Sequence, residues 1–129
     1  KQALALAEEA GDEWAVLICW IALGDAALGQ ADLEAAGRYL AKAIPLAAES
    51  GEPALMLRAL LHQGRLELLR GQSEKAAALL GLVVHHEAGY DEHRQAAREA
   101  LARAGLPAGE SISLEEAMQA ELARVVSAG

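Results

Sequence analysis

Apolar positions along the chain fall mostly at helical spacing, three or four residues apart, and no alternating β-branched run suggests a strand. The segment from Trp14 to Gly24, WAVLICWIALG, has no charged side chain and holds both tryptophans and the only cysteine. Punctuation residues divide the rest. Gly11 and Gly51 follow helix ends, and Pro53 suits a first helical turn. Helices are therefore expected from Glu13 to about Leu28 and from Pro53 to about Arg70. Second helices should open at Asp32 and Ser73, short polar residues suited to N-caps, and run to about Glu49 and Glu87. A further helix should begin at Asp91 as cap and stop at Gly105. A last one should follow Ser113, which stands with Glu116 in capping-box spacing, and carry the apolar stripe Leu114, Met118, Leu122 and Val125. Pro45 lies inside a second helix, where a kink is expected.

These elements repeat. A shift of forty residues, without a gap, lays Gly11 on Gly51, Leu17 on Leu57, Trp20 on Leu60, Gly24 on Gly64, Leu28 on Leu68, Ala36 on Ala76 and Leu40 on Leu80. Each unit reads as a helix pair. Gly24 and Gly64 would admit the paired helix closely, with Ala36 and Ala76 as its matching small residues. Leu40, Ile44, Leu80 and Val84 would fill the space between units. The fold class expected is all-α: an α-solenoid of antiparallel helix pairs with about seven helices. The units run 1–10 (the end of a preceding repeat), 12–50, 52–90 and 91–127, the last a degenerate cap. In that cap Arg94, Arg98, Glu99 and Arg103 would give a wet outer face. The last helix could close the stack, bind its groove, or leave to pair with another molecule. The chain opens inside a helical pattern, so it reads as a fragment of a longer protein.

Trp20-x-x-Leu23-Gly24 followed by Ala36, Leu40 and Ala43, and Leu60, Gly64, Gly71, Ala76 and Leu80 in the second unit, resemble the tetratricopeptide repeat (TPR). Four residues depart from that pattern: Ala27 and Glu67 stand where the family prefers an aromatic, Ala31 replaces a turn glycine, and Gln63 replaces a leucine. The forty-residue period is similar to that of repeats in the C-terminal parts of large bacterial ATP-dependent transcription regulators of the maltose-activator type. The resemblance implies a scaffold for protein–protein interaction, in which the first helix of each pair lines a concave surface.

On a helical wheel Trp20, Leu23, Gly24 and Ala27 share the packing side that the motif requires. Trp14, Ile18, Ile21, Asp25 and Leu28 share the other side, with Leu17. The forty-residue shift carries this strip onto Arg58, Leu61, Arg65 and Leu68, and a further step brings Arg98 and Leu101. The expected partner-binding surface is Trp14, Ile18, Ile21, Asp25, Leu28, Arg58, Leu61, Arg65 and Leu68: an apolar floor with arginines along one side. Asp25 and Arg65 would face each other, or the arginines would take carboxylates from an acidic or C-terminal peptide. The cover for the strip could be a partner peptide or protein, another domain of the same chain, a second copy forming a homodimer, the last helix, or upstream repeats.

Charge and composition narrow the function. The chain has 19 acidic and 11 basic residues and a net charge of −8, which argues against direct nucleic-acid contact. No apolar run reaches the ~18–20 residues that cross a bilayer, so no membrane contact is expected. The single cysteine fits a reducing compartment, hence a cytoplasmic location. Cys19 has no basic neighbour in sequence and reads as packing. His85 and His86 point about 100° apart on a helix. His86 and His93 flank a turn near Glu87, Asp91 and Glu92 without a recognised ligand spacing. His62 shares a helical side with Arg58 and Arg65 and reads as a polar residue of the groove. Glu8-Glu9 and Glu115-Glu116 read as solvated faces. No catalytic, cofactor or metal residues are assigned, so the chain reads as non-enzymatic. A small metal-dependent enzyme using the histidines is the remaining alternative.

Overall fold

A computed structural model describes residues 2–109 and 112–128, with the side chain of Ala128 left aside. The described residues form seven helices and no strand: α1 (Gln2–Ala10), α2 (Glu13–Gly29), α3 (Leu33–Ser50), α4 (Pro53–Leu69), α5 (Ser73–His85), α6 (Asp91–Ala104) and α7 (Leu114–Ala128). No helix is long and apolar enough to cross a membrane.

Local chemistry accounts for most boundaries. Asp32 caps α3 by accepting from the Ala35 amide at 3.1 Å, and Asp12 does the same for α2 through the Ala15 amide at 3.0 Å. The Ser113 and Glu116 pair closes as a capping box, with Glu116 N donating to Ser113 Oγ at 3.0 Å and Ser113 N to Glu116 Oε1 at 3.4 Å. Two expected caps are corrected. Gln72 and Tyr90 occupy the cap positions of α5 and α6, so Ser73 and Asp91 are the first helical residues. Asp91 instead accepts from Arg94 at 2.7 Å. Helix α5 ends at His85, two residues short of Glu87, and α3 runs on through Pro45.

Helices adjacent in sequence pack together from α1 to α6, and α2 and α6 both also contact α4. The close approach within each pair rests on a glycine. A Cβ on Gly24 would stand 2.8 Å from Leu40 Cδ2, and one on Gly64 would stand 2.8 Å from Leu80 Cδ2. The forty-residue shift thus carries one contact onto the other. Leu40 and Leu80, rather than Ala36 and Ala76, are the residues that seat on these glycines.

The last unit departs from this scheme. Helix α7 packs on α3 and α4 rather than pairing with α6, so 91–127 is not a helix pair like the two before it. The connection from α6 lies tightly on α5, where Gly109 N donates to Ala77 O at 2.9 Å. A Cβ on Gly109 would meet the Ala77 and Ala78 backbone at 2.7 Å, which leaves no space for a side chain there. Ala117 and Met118 of α7 are buried in the main core. Beside them Lys75 lies 3.2 Å from Glu67 and 3.5 Å from Glu121, two carboxylates that are both buried. Gln63 donates to Glu67 at 2.9 Å, and Arg124 pairs with Glu121 at 2.9 Å. Polar Gln63 and Glu67 in α4 are therefore members of the network that meets α7. Buried carboxylates persist only when paired in this way.

Ala31 adopts φ 57°, the left-handed region, at the position that Gly71 holds with φ 80° in the next unit. A Cβ there is strained by roughly 1–2 kcal/mol. Ala31→Gly is expected to stabilise the fold by about 1 kcal/mol, and Gly71→Ala to destabilise it by a similar amount, in urea unfolding followed by circular dichroism. A loss of stability in Ala31→Gly would show that the turn is held by something other than backbone geometry.

Candidate functional site

Helices α2, α4 and α6 converge on a cleft of about 410 Å³. It is lined by Asp25 of α2, by Arg58, Leu61, His62 and Arg65 of α4, and by Glu92, His93, Ala96, Glu99, Ala100 and Arg103 of α6. The α4 and α6 residues correspond at a spacing of thirty-eight: Arg58 with Ala96, Leu61 with Glu99, His62 with Ala100, and Arg65 with Arg103. Helix α6 likewise starts thirty-eight residues after Pro53, whereas α5 starts forty after Leu33. Helix α5 is five residues shorter than α3, and its connection to α6 is three residues longer than that of α3 to α4, so the register of α6 is shifted by two residues. The forty-residue step had therefore pointed to Arg98 and Leu101, but Arg98 is exposed away from this lining and Leu101 is buried. Glu99 and Arg103 are exposed, as expected, and border the cleft. Gly89, thirty-eight residues after Gly51, is the sequence signal that carries the changed period.

Of the nine expected surface residues, the cleft collects Asp25, Arg58, Leu61 and Arg65. Leu28, Arg65 and Leu68 line an adjoining shallow hollow with Ala100 and Arg103. Trp14 is 59% exposed and lies in a separate cleft against α3 and α4. Ile18 is half-buried against the core. Three positions of the expected apolar strip are buried: Ile21 is 0%, Leu61 2% and Leu28 5% exposed, while Leu61 still borders the cleft and Leu28 the hollow. Leu17, Ile21, Gly24 and Leu28 form one stripe at i, i+4, i+7 and i+11, all buried. Because α2 and α4 pack directly on one another, the side of each first helix that faces its neighbour becomes interior. Cys19 is half-buried rather than sealed in the core.

Electrostatics organise the polar wall. Arg65 Nη1 donates to Asp25 Oδ1 at 2.7 Å and lies 2.9 Å from His62 Nδ1. Arg65 has only donors to offer, so Nδ1 of His62 accepts and its ring proton sits on Nε2. Burial pushes the His62 pKa down to about 4; the charge of Asp25 opposes this, and Arg65, Arg58 and His93 add to it. Burial works to raise Asp25. The Arg65 hydrogen bond and the charges of His62, Arg65 and Arg58 outweigh it and hold the carboxyl below its ordinary value. His93 is lowered by burial and by Arg58, against Glu92. Among the described residues neither Arg58 nor Arg103 has a carboxylate within ion-pair distance.

His86 and Arg94 serve the α5–α6 turn. Ala88 N donates to His86 Nδ1 at 3.1 Å, and Arg94 donates to the carbonyls of His86 at 3.0 Å and Glu87 at 2.8 Å. Arg94 is thus a clamp on that turn. Among the described residues no three His, Cys, Asp or Glu side chains are grouped as a metal ion requires. No family model, curated protein or solved structure matches the chain.

The depressed His62 pKa has a consequence for stability. Above about pH 6.5 the ring is neutral in both folded and unfolded chains. As the pH falls towards 4 the unfolded chain takes up the proton first, so stability drops. The shift from 6.5 to about 4 corresponds to about 2.5 kcal/mol lost between pH 7.5 and 4.5. Urea unfolding at both pH values should show this loss in the natural chain and a smaller loss in His62→Met. Equal losses would mean that His62 is not the titrating group.

Proposed function

We propose that this chain is a non-enzymatic interaction module, a TPR-like stack of helix pairs serving a larger bacterial transcriptional or signalling regulator in the cytoplasm. Its role is to bind a peptide, a protein or another domain of the same polypeptide through the first-helix surface. The observation that carries the reading is the convergence of α2, α4 and α6 on one charged cleft with two arginines, Arg58 and Arg103, that lack carboxylate partners. The forty-residue periodicity and the paired glycine–leucine contacts support the repeat architecture. The cleft chemistry favours a segment bearing carboxylates, since a guanidinium fork suits bidentate contact. Calorimetric titration with ten-residue acidic peptides that end in a free carboxylate is the test. Arg58→Glu should weaken binding about tenfold or more, as reversal of a charge central to an interface does. Unchanged affinity, or no binding by the natural chain, would remove the reading.

A second reading, self-association, is favoured by the state of α2. Leu55, Ala59, His62, Gln63 and Leu66 of α4 are buried, while their forty-residue counterparts Ala15, Cys19, Ala22, Leu23 and Ala26 are half-buried or exposed. The more apolar helix is the less covered one. Light scattering of the 129-residue chain should then show dimers that Leu23→Glu returns to monomers. A natural chain that stays monomeric at every concentration would eliminate this reading.

A further inference from the structure

A second cleft, sharing no lining residue with the first, lies where α2 meets the α3–α4 turn. It encloses about 220 Å³. Leu17, Leu46 and Leu55 give it an apolar floor, Trp14 a wall, and Glu13, Glu49 and Glu52 an acidic rim. Trp14 is large and more than half exposed, whereas most tryptophans are well covered.

Helix stabilisation does not account for Glu49, nor does capping account for the Glu52 side chain. Glu49 sits in the last turn of α3, where the negative end of the macrodipole disfavours an anion and no basic residue offsets it. Glu52 holds the cap position of α4, yet its side chain makes no capping hydrogen bond. Ser50 fixes the turn instead, donating to Ala47 O at 2.6 Å and accepting from Glu52 N at 3.1 Å. Glu13 and Glu52 both stand at helix starts, where the macrodipole favours an anion; Glu49 has no such compensation. Among the described residues none of the three carboxylates is ion-paired.

We infer that this cleft is a docking site for a basic segment of a partner protein, with one arginine or lysine side chain as its anchor. The methylene stem lies over the three leucines, as long cationic side chains cover apolar surface. The cationic head reaches the carboxylate rim and the face of Trp14, where cation–π attraction adds to charge pairing. An exposed aromatic beside a greasy floor and uncompensated carboxylates matches that chemistry and repels an acidic ligand. The first cleft, with its unpaired arginines, has the opposite preference.

The probe is an acetylated, amidated (Arg-Gly)₃ peptide added to the full chain at low salt, with the two tryptophan indole N–H signals followed by NMR. The Trp14 signal should move to saturation while that of Trp20 stays. Glu49→Gln with Glu52→Gln should weaken binding about tenfold. Glu74→Gln with Glu115→Gln, the same charge change elsewhere, should alter it less than twofold, and Trp14→Ala, followed by calorimetry because it lacks the reporting indole, should abolish saturable binding. Arg58→Glu should leave it within twofold, which separates this site from the cleft of the proposed function. Equal weakening by both glutamine pairs, or an unmoved Trp14 signal, would overturn the inference.

Discussion

The distance between paired helices is set by a leucine resting on a glycine. Leu40 lies where a Cβ of Gly24 would be, and Leu80 where one of Gly64 would be. Any larger residue at either glycine forces the pair apart, since a packed interior tolerates little extra volume. That spacing fixes how far α2 and α4 lie from the second helices. It thereby lets the two first helices pack on one another, with Leu17 and Ile21 of α2 and Leu57 and Leu61 of α4 all buried. The charged cleft exists because this buried seam leaves only the outer edge of each first helix free. Asp25, Arg58 and Arg65 stand on that edge.

The second constraint is the half-exposed Lys75 between the buried carboxylates Glu67 and Glu121. It joins three helices, α4, α5 and α7, at one place. The polar departures Gln63 and Glu67 would be costly in an isolated helix pair, because buried polar groups must be satisfied. They are satisfied by each other and by Lys75, whose second partner, Glu121, lies on a helix remote in sequence. Such a network favours one seating of α7 over others that would leave a carboxylate buried without a partner. With α7 held against α3 and α4, the face formed by α2, α4 and α6 stays open.

Charge divides the surface into two chemistries. One cleft presents arginines beside Asp25 and a neutral His62; the other presents carboxylates beside Trp14. A chain with net charge −8 would show only general attraction to cations if its charges were evenly spread. The unpaired arginines of one cleft and the wholly acidic rim of the other let it discriminate by sign and by shape.

Local signals in the sequence determined the helices: the Asp12 and Asp32 caps, the Ser113–Glu116 box, the glycines that end helices, and the period that repeats Gly24 at Gly64. These depend on residues a few positions apart, so they are legible without tertiary knowledge. The pairing of Asp25 with Arg65 was legible too, since a fixed period relates neighbouring helices. The tertiary structure alone decided which side of α2 is interior. Gly24 and Leu17 lie only about 20° apart on the wheel, and an α2 apolar nearly all round offers no polarity boundary to separate packing side from open side. It also decided the register of α6, because a two-residue shortening rotates every later side chain by about 200°. The seating of α7 could not be read from the chain either, because an ion pair between residues forty-six apart leaves no periodic trace.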